Sequence, residues 1–198
     1  MTLSPFTVVA GTFYRAVDAR FVDSALRGSR SAGRYSPPDA PTLYLSSSPE
    51  GVDAAMVAHT DATTPPRELL TFDVHAERIV DLRDAEALAA LGVDLADAMA
   101  PWKPAVEVGE EPSSWAVRRR LEEAGAHGLI DPSRTAPGLW HLTLFRRNED
   151  GAPRVTRAPG GVTAGSGASP LSVCGGIPHL TRTEPGLQPV FCRGRMAP

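Results

Sequence analysis

The sequence has almost no lysine: of its 20 basic residues, only Lys103 is not an arginine. That bias follows from GC-rich coding and carries no functional message. Cysteine is nearly as scarce. Cys174 and Cys192 lack metal-ligand spacing and are too few for a disulfide framework, so a reduced, cytoplasmic protein is expected. No apolar run approaches the roughly 20 residues that cross a bilayer. Met1-Thr2-Leu3-Ser4-Pro5 has no basic stretch followed by an apolar one, so no secretory signal is expected. The net charge of −3 gives no bulk attraction to nucleic acid or to an anionic membrane. Glycine-rich dinucleotide fingerprints, P-loops, HExxH and GxSxG are all missing, which removes the common nucleotide, zinc-peptidase and serine-hydrolase signatures. His59, His75, His127, His141 and His179 are scattered without ligand spacing, so no metal is expected.

What is present is a globular composition, 42% apolar and 22% charged over 198 residues, enough for one core. The ends differ. Residues 151–198 hold 9 of the 18 glycines and 7 of the 19 prolines, with five arginines against Glu184 alone. So many breakers predict a folded domain over 5–148 and a Gly/Pro-rich, flexible tail over 149–198. Within the domain, Phe6–Val17 reads as a strand, 18–41 as a long loop and Thr42–Ser46 as a short strand. Ser48-Pro49-Glu50 opens a helix running to about His59, since serine caps, proline suits the first turn and the acid suits the dipole. Strands follow over Arg67–His75 and Arg78–Leu82, and short helices over Asp84–Leu91 and Asp94–Met99. Ser113–Ala124 is an amphipathic helix with Trp115, Ala116, Arg119 and Leu121 among its positions, stopped by Gly125. Leu129-Ile130 and Leu139–Phe145 close the domain as strands. Without a βαβ rhythm, the pattern predicts a compact α+β fold rather than a doubly wound sheet.

All three tyrosines lie between residues 14 and 44. Arg15 sits in the first strand, and Arg34 in the long loop is followed at once by Tyr35. Guanidinium groups match phosphate oxygens and tyrosine rings offer stacking faces, so this segment suits an anionic, aromatic ligand such as a nucleotide. The plainer reading makes Tyr44 a core aromatic and the arginines solvated.

The order Tyr14-Arg15, Gly33-Arg34-Tyr35, Leu43-Tyr44-Leu45, then Ser48 and a helix reaching His59, resembles the RES domain family. Gly128-Leu129-Ile130-Asp131-Pro132-Ser133-Arg134, followed by Trp140–Phe145, resembles its C-terminal block. The likeness covers about residues 12–146. The family is named for an Arg, a Glu and a Ser; here the Arg corresponds to Arg15 or Arg34 and the Ser to Ser133. The resemblance implies a fold like that of ADP-ribosyltransferases. It also implies a bacterial toxin that consumes NAD+ as substrate, without a prosthetic group, by phosphorolysis or ADP-ribosyl transfer. The implied partner is a small helix-turn-helix antitoxin. In such a site Arg15 and Arg34 would hold phosphate or ribose oxygens, Tyr35 and Tyr44 would stack on nicotinamide or wall the pocket, and Ser133 would donate a hydrogen bond to ribose or amide.

The chain departs from the family at the acid. The family glutamate lies on the helix after the tyrosine strand, four residues before the histidine, and counting back from His59 gives Ala55. At about 100° per residue, Asp53 and Glu50 point roughly 160° and 140° away from position 55. Three readings stand open: a natural member, weakened or inactive and kept as a nucleotide- or partner-binding module; a member using another carboxylate, with Asp61 and Glu68 as candidates; or a glutamate replaced by alanine to disarm a toxic protein.

Overall fold

The computed structural model describes residues 4–29, 31–57 and 64–159, and the backbone of 190–192. Thr7–Asp18 forms a twelve-residue strand, β1, whose Val9, Phe13 and Val17 are buried on one face. The Asp18 carboxylate accepts the Arg20 N–H at 2.9 Å and starts a 3-10 segment, Ala19–Arg27, kinked at Phe21. The expected loop over 18–41 is therefore helical at its start. Its remainder is held by isolated bridges, Ser29 to Thr42 and Gly33 to Ser36.

The strand Leu43–Ser46, β2, leads into helix α1, Pro49–Met56, where Ser48 Oγ caps by accepting the Gly51 N–H at 3.1 Å. The expected stretch to His59 crosses 58–63, which lie outside the described residues together with His59 and Asp61. The two strands expected between Arg67 and Leu82 are one, β3, Arg67–Asp81. Two things carry the chain through the anticipated break. β1 pairs along nearly all of β3, from Thr7 with Ile79 to Asp18 with Arg67. Arg78, at a positive φ of 56°, is tied down by its Nε–H to the Gly125 carbonyl at 2.6 Å and by stacking on Phe6.

Asp84 and Asp94 each cap a short helix, α2 (Ala85–Leu91) and α3 (Leu95–Met99). Helix α4, Lys103–Glu107, was not anticipated; it is a single five-residue turn begun by Pro104 near its start. Helix α5, Ser113–Glu123, buries Ser114, Val117, Arg118 and Leu121, whereas the expected positions Ala116 and Arg119 are exposed. The strands β4 (Gly128–Pro132), β5 (Trp140–Leu144), β6 (Arg154–Arg157) and β7 (Val190–Cys192) complete the chain.

The seven strands run in the order β6-β3-β4-β5-β2-β1-β7, with β1 also paired to β3. Two antiparallel halves result, β6-β3-β1-β7 and β4-β5-β2. They join where Ile79–Asp81 run parallel to Gly128–Ile130 and where Tyr14 faces Ser46. Among the described residues only the β3–β4 pair is parallel, and a largely antiparallel sheet with segregated helices is an α+β arrangement. Side chains alternate along each strand. Leu43, Leu45, Ile130, Leu142 and Leu144 join Phe13, Leu70 and Phe72 in one inner core. Leu129 and Phe145 face the other way and join Tyr35, Leu88, Val117 and Leu121 in a second core under the helices.

The expected boundary at residue 148 is too early. Asn148 exchanges two hydrogen bonds with the Val155 backbone through its side chain, at 2.8 and 2.9 Å, and this turns the chain into β6 beside β3. Three more residues of the expected tail, Val190–Cys192, pair with β1. The predicted flexibility of 160–189 and 193–198 falls outside the described residues.

Candidate functional site

The Gly33-Arg34-Tyr35 segment is fixed on the helix side by α5. Ser114 Oγ donates to the Arg34 carbonyl at 2.5 Å and the Trp115 indole N–H to that of Gly33 at 2.9 Å. The buried Arg118 gives one Nη to the Tyr35 carbonyl at 2.8 Å and to Thr42 Oγ1 at 2.7 Å. Tyr44 Oη accepts the Tyr35 backbone N–H at 3.1 Å. A Cβ on Gly33 would lie 3.0 Å from that same hydroxyl, so a larger residue there would press on the Tyr44 phenol. The loop carrying Gly33-Arg34-Tyr35 and the strand carrying Tyr44 are thus welded together.

Arg34 is 8% exposed. One Nη donates to the carbonyls of Ala98 (3.4 Å) and Ala100 (2.8 Å) at the end of α3. The other, Nη2, is buried with no hydrogen-bond partner. A buried donor left unmade costs about 1–3 kcal/mol, and such groups cluster where a ligand or water completes them. Burial, then the nearby Arg134, lowers the Arg34 pKa. The Tyr35 hydroxyl donates to the Ala98 carbonyl at 3.0 Å and stands 3.5 Å from Asp131 Oδ1. Burial raises both phenols, Tyr44 to about 12, so both are neutral donors at physiological pH.

Asp131 lies on β4 one residue after the inner-core Ile130 and therefore projects to the Arg34 side. In register it faces His141, which faces Ser46, which faces Tyr14, so these four make one polar row across the sheet. Ser46 Oγ and His141 Nδ1 are 3.0 Å apart. Burial lowers the His141 pKa, which favours the neutral ring. Burial pushes Asp131 up to about 6, against the opposing pull of Arg34, Arg134 and the Tyr35 hydroxyl.

Of the expected site residues, Arg34, Tyr35 and Tyr44 come together. Ser133 follows two residues after Asp131, at the same end of β4; its backbone N–H binds the Leu139 carbonyl at 2.8 Å and its Oγ accepts the Ala136 N–H at 3.2 Å. Its loop reaches α1 through Thr135 Oγ1, which donates to the Ala54 carbonyl at 3.2 Å. Ala55, next in sequence, is exposed, as are Glu50 and Asp53. Glu68, the other acid weighed from sequence, is on β3 opposite Val17.

Arg15 does not join them. It shares the inner face of β1 with Phe13 and Val17, and its guanidinium binds the Ala25 carbonyl of the 3-10 segment. Burial and Arg147 bring its pKa down to about 10. The expected role for Arg15 is therefore corrected, because strand alternation puts neighbouring Tyr14, not Arg15, on the Arg34 side. Asp131, Arg134, Ser46 and His141 had no assigned role in the sequence reading. A signal for Asp131 was available: it continues the alternation set by Leu129 and so places an acid on a covered face.

Two open hollows, of about 440 and 390 Å³, lie elsewhere on the surface. The first is lined by His75, Glu77, His127 and Arg154, the second by Arg27, Phe145 and Arg147 among others. Neither touches the Arg34–Asp131 cluster. We assign the site to the cluster because convergent buried polar groups are more selective than shallow open space.

The fold and this cluster define an α+β domain that gathers Arg, Tyr and Ser motifs at one end of a split sheet. The profile of the RES domain matches residues 12–164, and the chain belongs to that family. The crystal structure of the M. tuberculosis MbcT–MbcA toxin–antitoxin complex is similar at a TM-score of 0.49 and 17% identity, over 78% of this chain and 87% of that one. No curated protein matches. Among the described residues no helix is long and apolar enough to cross a membrane.

Proposed function

We propose that the chain cleaves the nicotinamide–ribose bond of NAD+ and passes ADP-ribose to phosphate or to a protein side chain, as a toxin neutralised by a small helix-turn-helix antitoxin. RES family membership supports this reading. The observation that carries it is Arg34: a buried guanidinium with one amino group unmade, flanked by two neutral tyrosines and a carboxylate. The unmade donor suits a phosphate or ribose oxygen. The phenols suit the aromatic ring and its amide. Nicotinamide leaves neutral, so the reaction needs no strong acid. It needs the dinucleotide held in line and positive charge on the ribose stabilised.

The test is nicotinamide release from NAD+ by the purified chain, with and without phosphate, beside Arg34→Ala. Release that Arg34→Ala reduces about 100-fold or more, in a variant that still unfolds cooperatively, supports the reading. Absence of both release and NAD+ binding refutes it. Growth arrest on expression, relieved by a neighbouring helix-turn-helix gene, tests the toxin part.

Ala55 favours a second reading, a nucleotide-binding module without turnover. NAD+ binding with no release from the unmodified chain, and release from Ala55→Glu, would select it.

A further inference from the structure

Position 55 offers the proposed reaction no charge, and the other acids of α1 are exposed. We infer that Asp131 is the carboxylate of this site, working from the sheet in place of an acid on the helix. The inference rests on the NAD+-cleaving reading and assigns one of its residues.

Three observations carry it. Asp131 is on the covered face of β4, opposite His141 in register and two residues before Ser133. Its polar contact among the described residues is the Tyr35 hydroxyl at 3.5 Å, whose single proton the Ala98 carbonyl takes at 3.0 Å. Arg34 and Arg134 both act on it electrostatically, yet no ion pair within 4 Å ties it to either. Asp131 is held near two guanidinium groups and left with acceptor capacity.

The chemistry follows. As the C–N bond to nicotinamide breaks, its electron pair stays on the ring nitrogen, which becomes neutral, and the anomeric carbon gains positive charge. An oxygen of phosphate, water or a protein side chain bonds to that carbon and its proton passes to solvent. Asp131 forms no bond. Its negative charge opposes the developing positive charge, while Arg34 holds the anionic part of the dinucleotide. Only the ionised form can do this, so the rate rises as pH rises through the Asp131 pKa, at about 6. The charged and titratable groups facing it are Arg34 and Tyr35 from the loop, Tyr44 from β2, His141 from β5 and Arg134 beyond β4. Among them His141, whose pKa burial lowers from the ordinary imidazole value, is the imidazole that the experiment must separate from Asp131.

The experiment measures nicotinamide release and NAD+ binding between pH 5 and 8 for the unmodified chain, Asp131→Asn, His141→Gln and Ala55→Glu. The expected result is a rate with a midpoint near pH 6 that His141→Gln retains. Asp131→Asn should lose about 100-fold in rate, bind NAD+ within a few-fold of the unmodified chain and show no midpoint. Asp131→Asn at full rate overturns the inference, as does a midpoint that survives in it. If Asp131→Asn does not fold, the unmodified chain decides: a flat profile overturns the inference, and a midpoint near 6 retained in His141→Gln supports it. An unmodified chain that is silent while Ala55→Glu is active overturns the assignment to Asp131 and leaves the NAD+-cleaving site standing. Silence from both, without NAD+ binding, removes both.

Discussion

Arg15 and Arg34 are both largely buried, and both direct guanidinium groups at backbone carbonyls. Arg15 lies on the inner face of β1, where it closes the end of the 3-10 segment at Ala25, with Arg147 bonding the next carbonyl, Leu26, at 2.7 Å. Arg34 lies across the sheet, where it caps the end of α3 but keeps Nη2 without a partner. One arginine, Arg15, leaves no buried nitrogen unpartnered among the described residues. The other has a bond left over, on a face shared with two tyrosines, a serine–histidine pair and an aspartate. Residue type is the same in both, and the unmade amino group together with its neighbours makes Arg34 the candidate for binding.

Exchanging the two residues in experiment sharpens that contrast. The largest expected effect is on activity. Arg34→Ala should cost about 10²–10³ in nicotinamide release. Arg15→Met should leave the rate per folded molecule unchanged, and a comparable rate loss there would break the distinction. Next is Arg118→Met, which strips the carbonyls of Tyr35 and Ala40 and the Thr42 hydroxyl of their shared donor. It should cost about 3 kcal/mol in urea unfolding, and it should loosen the Arg34 loop.

The Asp131 effect on stability is of similar size and opposite sign. Its pKa is raised in the fold from 3.8 to about 6, so the native state binds more protons than the unfolded chain between those values. Stability from this group is therefore full below pH 4 and is lost as pH rises to 6. Asp131→Asn should remove that slope and stabilise the protein at pH 7 by an amount on the order of 2 kcal/mol. Thermal unfolding across pH 4–8 reads it, and parallel slopes in both proteins would contradict the burial argument. The smallest effect is Arg15→Met, which leaves the Ala25 carbonyl unpaired and should lower stability by about 1–2 kcal/mol in the same unfolding assay.

Much of this molecule was legible in local sequence. β1, β2, α2, α3 and β5 were legible from local composition, and the Ser48 cap and the Gly125 stop from single residues whose effect is confined to a few neighbours. Arg34, Tyr35, Tyr44 and Ser133 could be singled out by type and order. The errors arose where distant chain decides. β3 stays unbroken because β1 pairs along it and Gly125 takes up Arg78. The domain runs past 148 because Asn148 turns the chain back onto β3.

The sequence by itself determined the class of fold, the family and the residue types of the candidate site, because period, caps and motif order are properties of adjacent residues. Tertiary structure alone decided which arginine lies with Tyr35, Tyr44 and Asp131, since one step along a strand moves a side chain through the sheet. It also decided that Asp131, not an acid of the helix, stands beside Arg34. Register across β4, β5, β2 and β1 brings Asp131, His141, Ser46 and Tyr14 into one row. Register is set by pairing between residues as distant as Ser46 and His141, 95 positions apart, which no local reading of the chain contains.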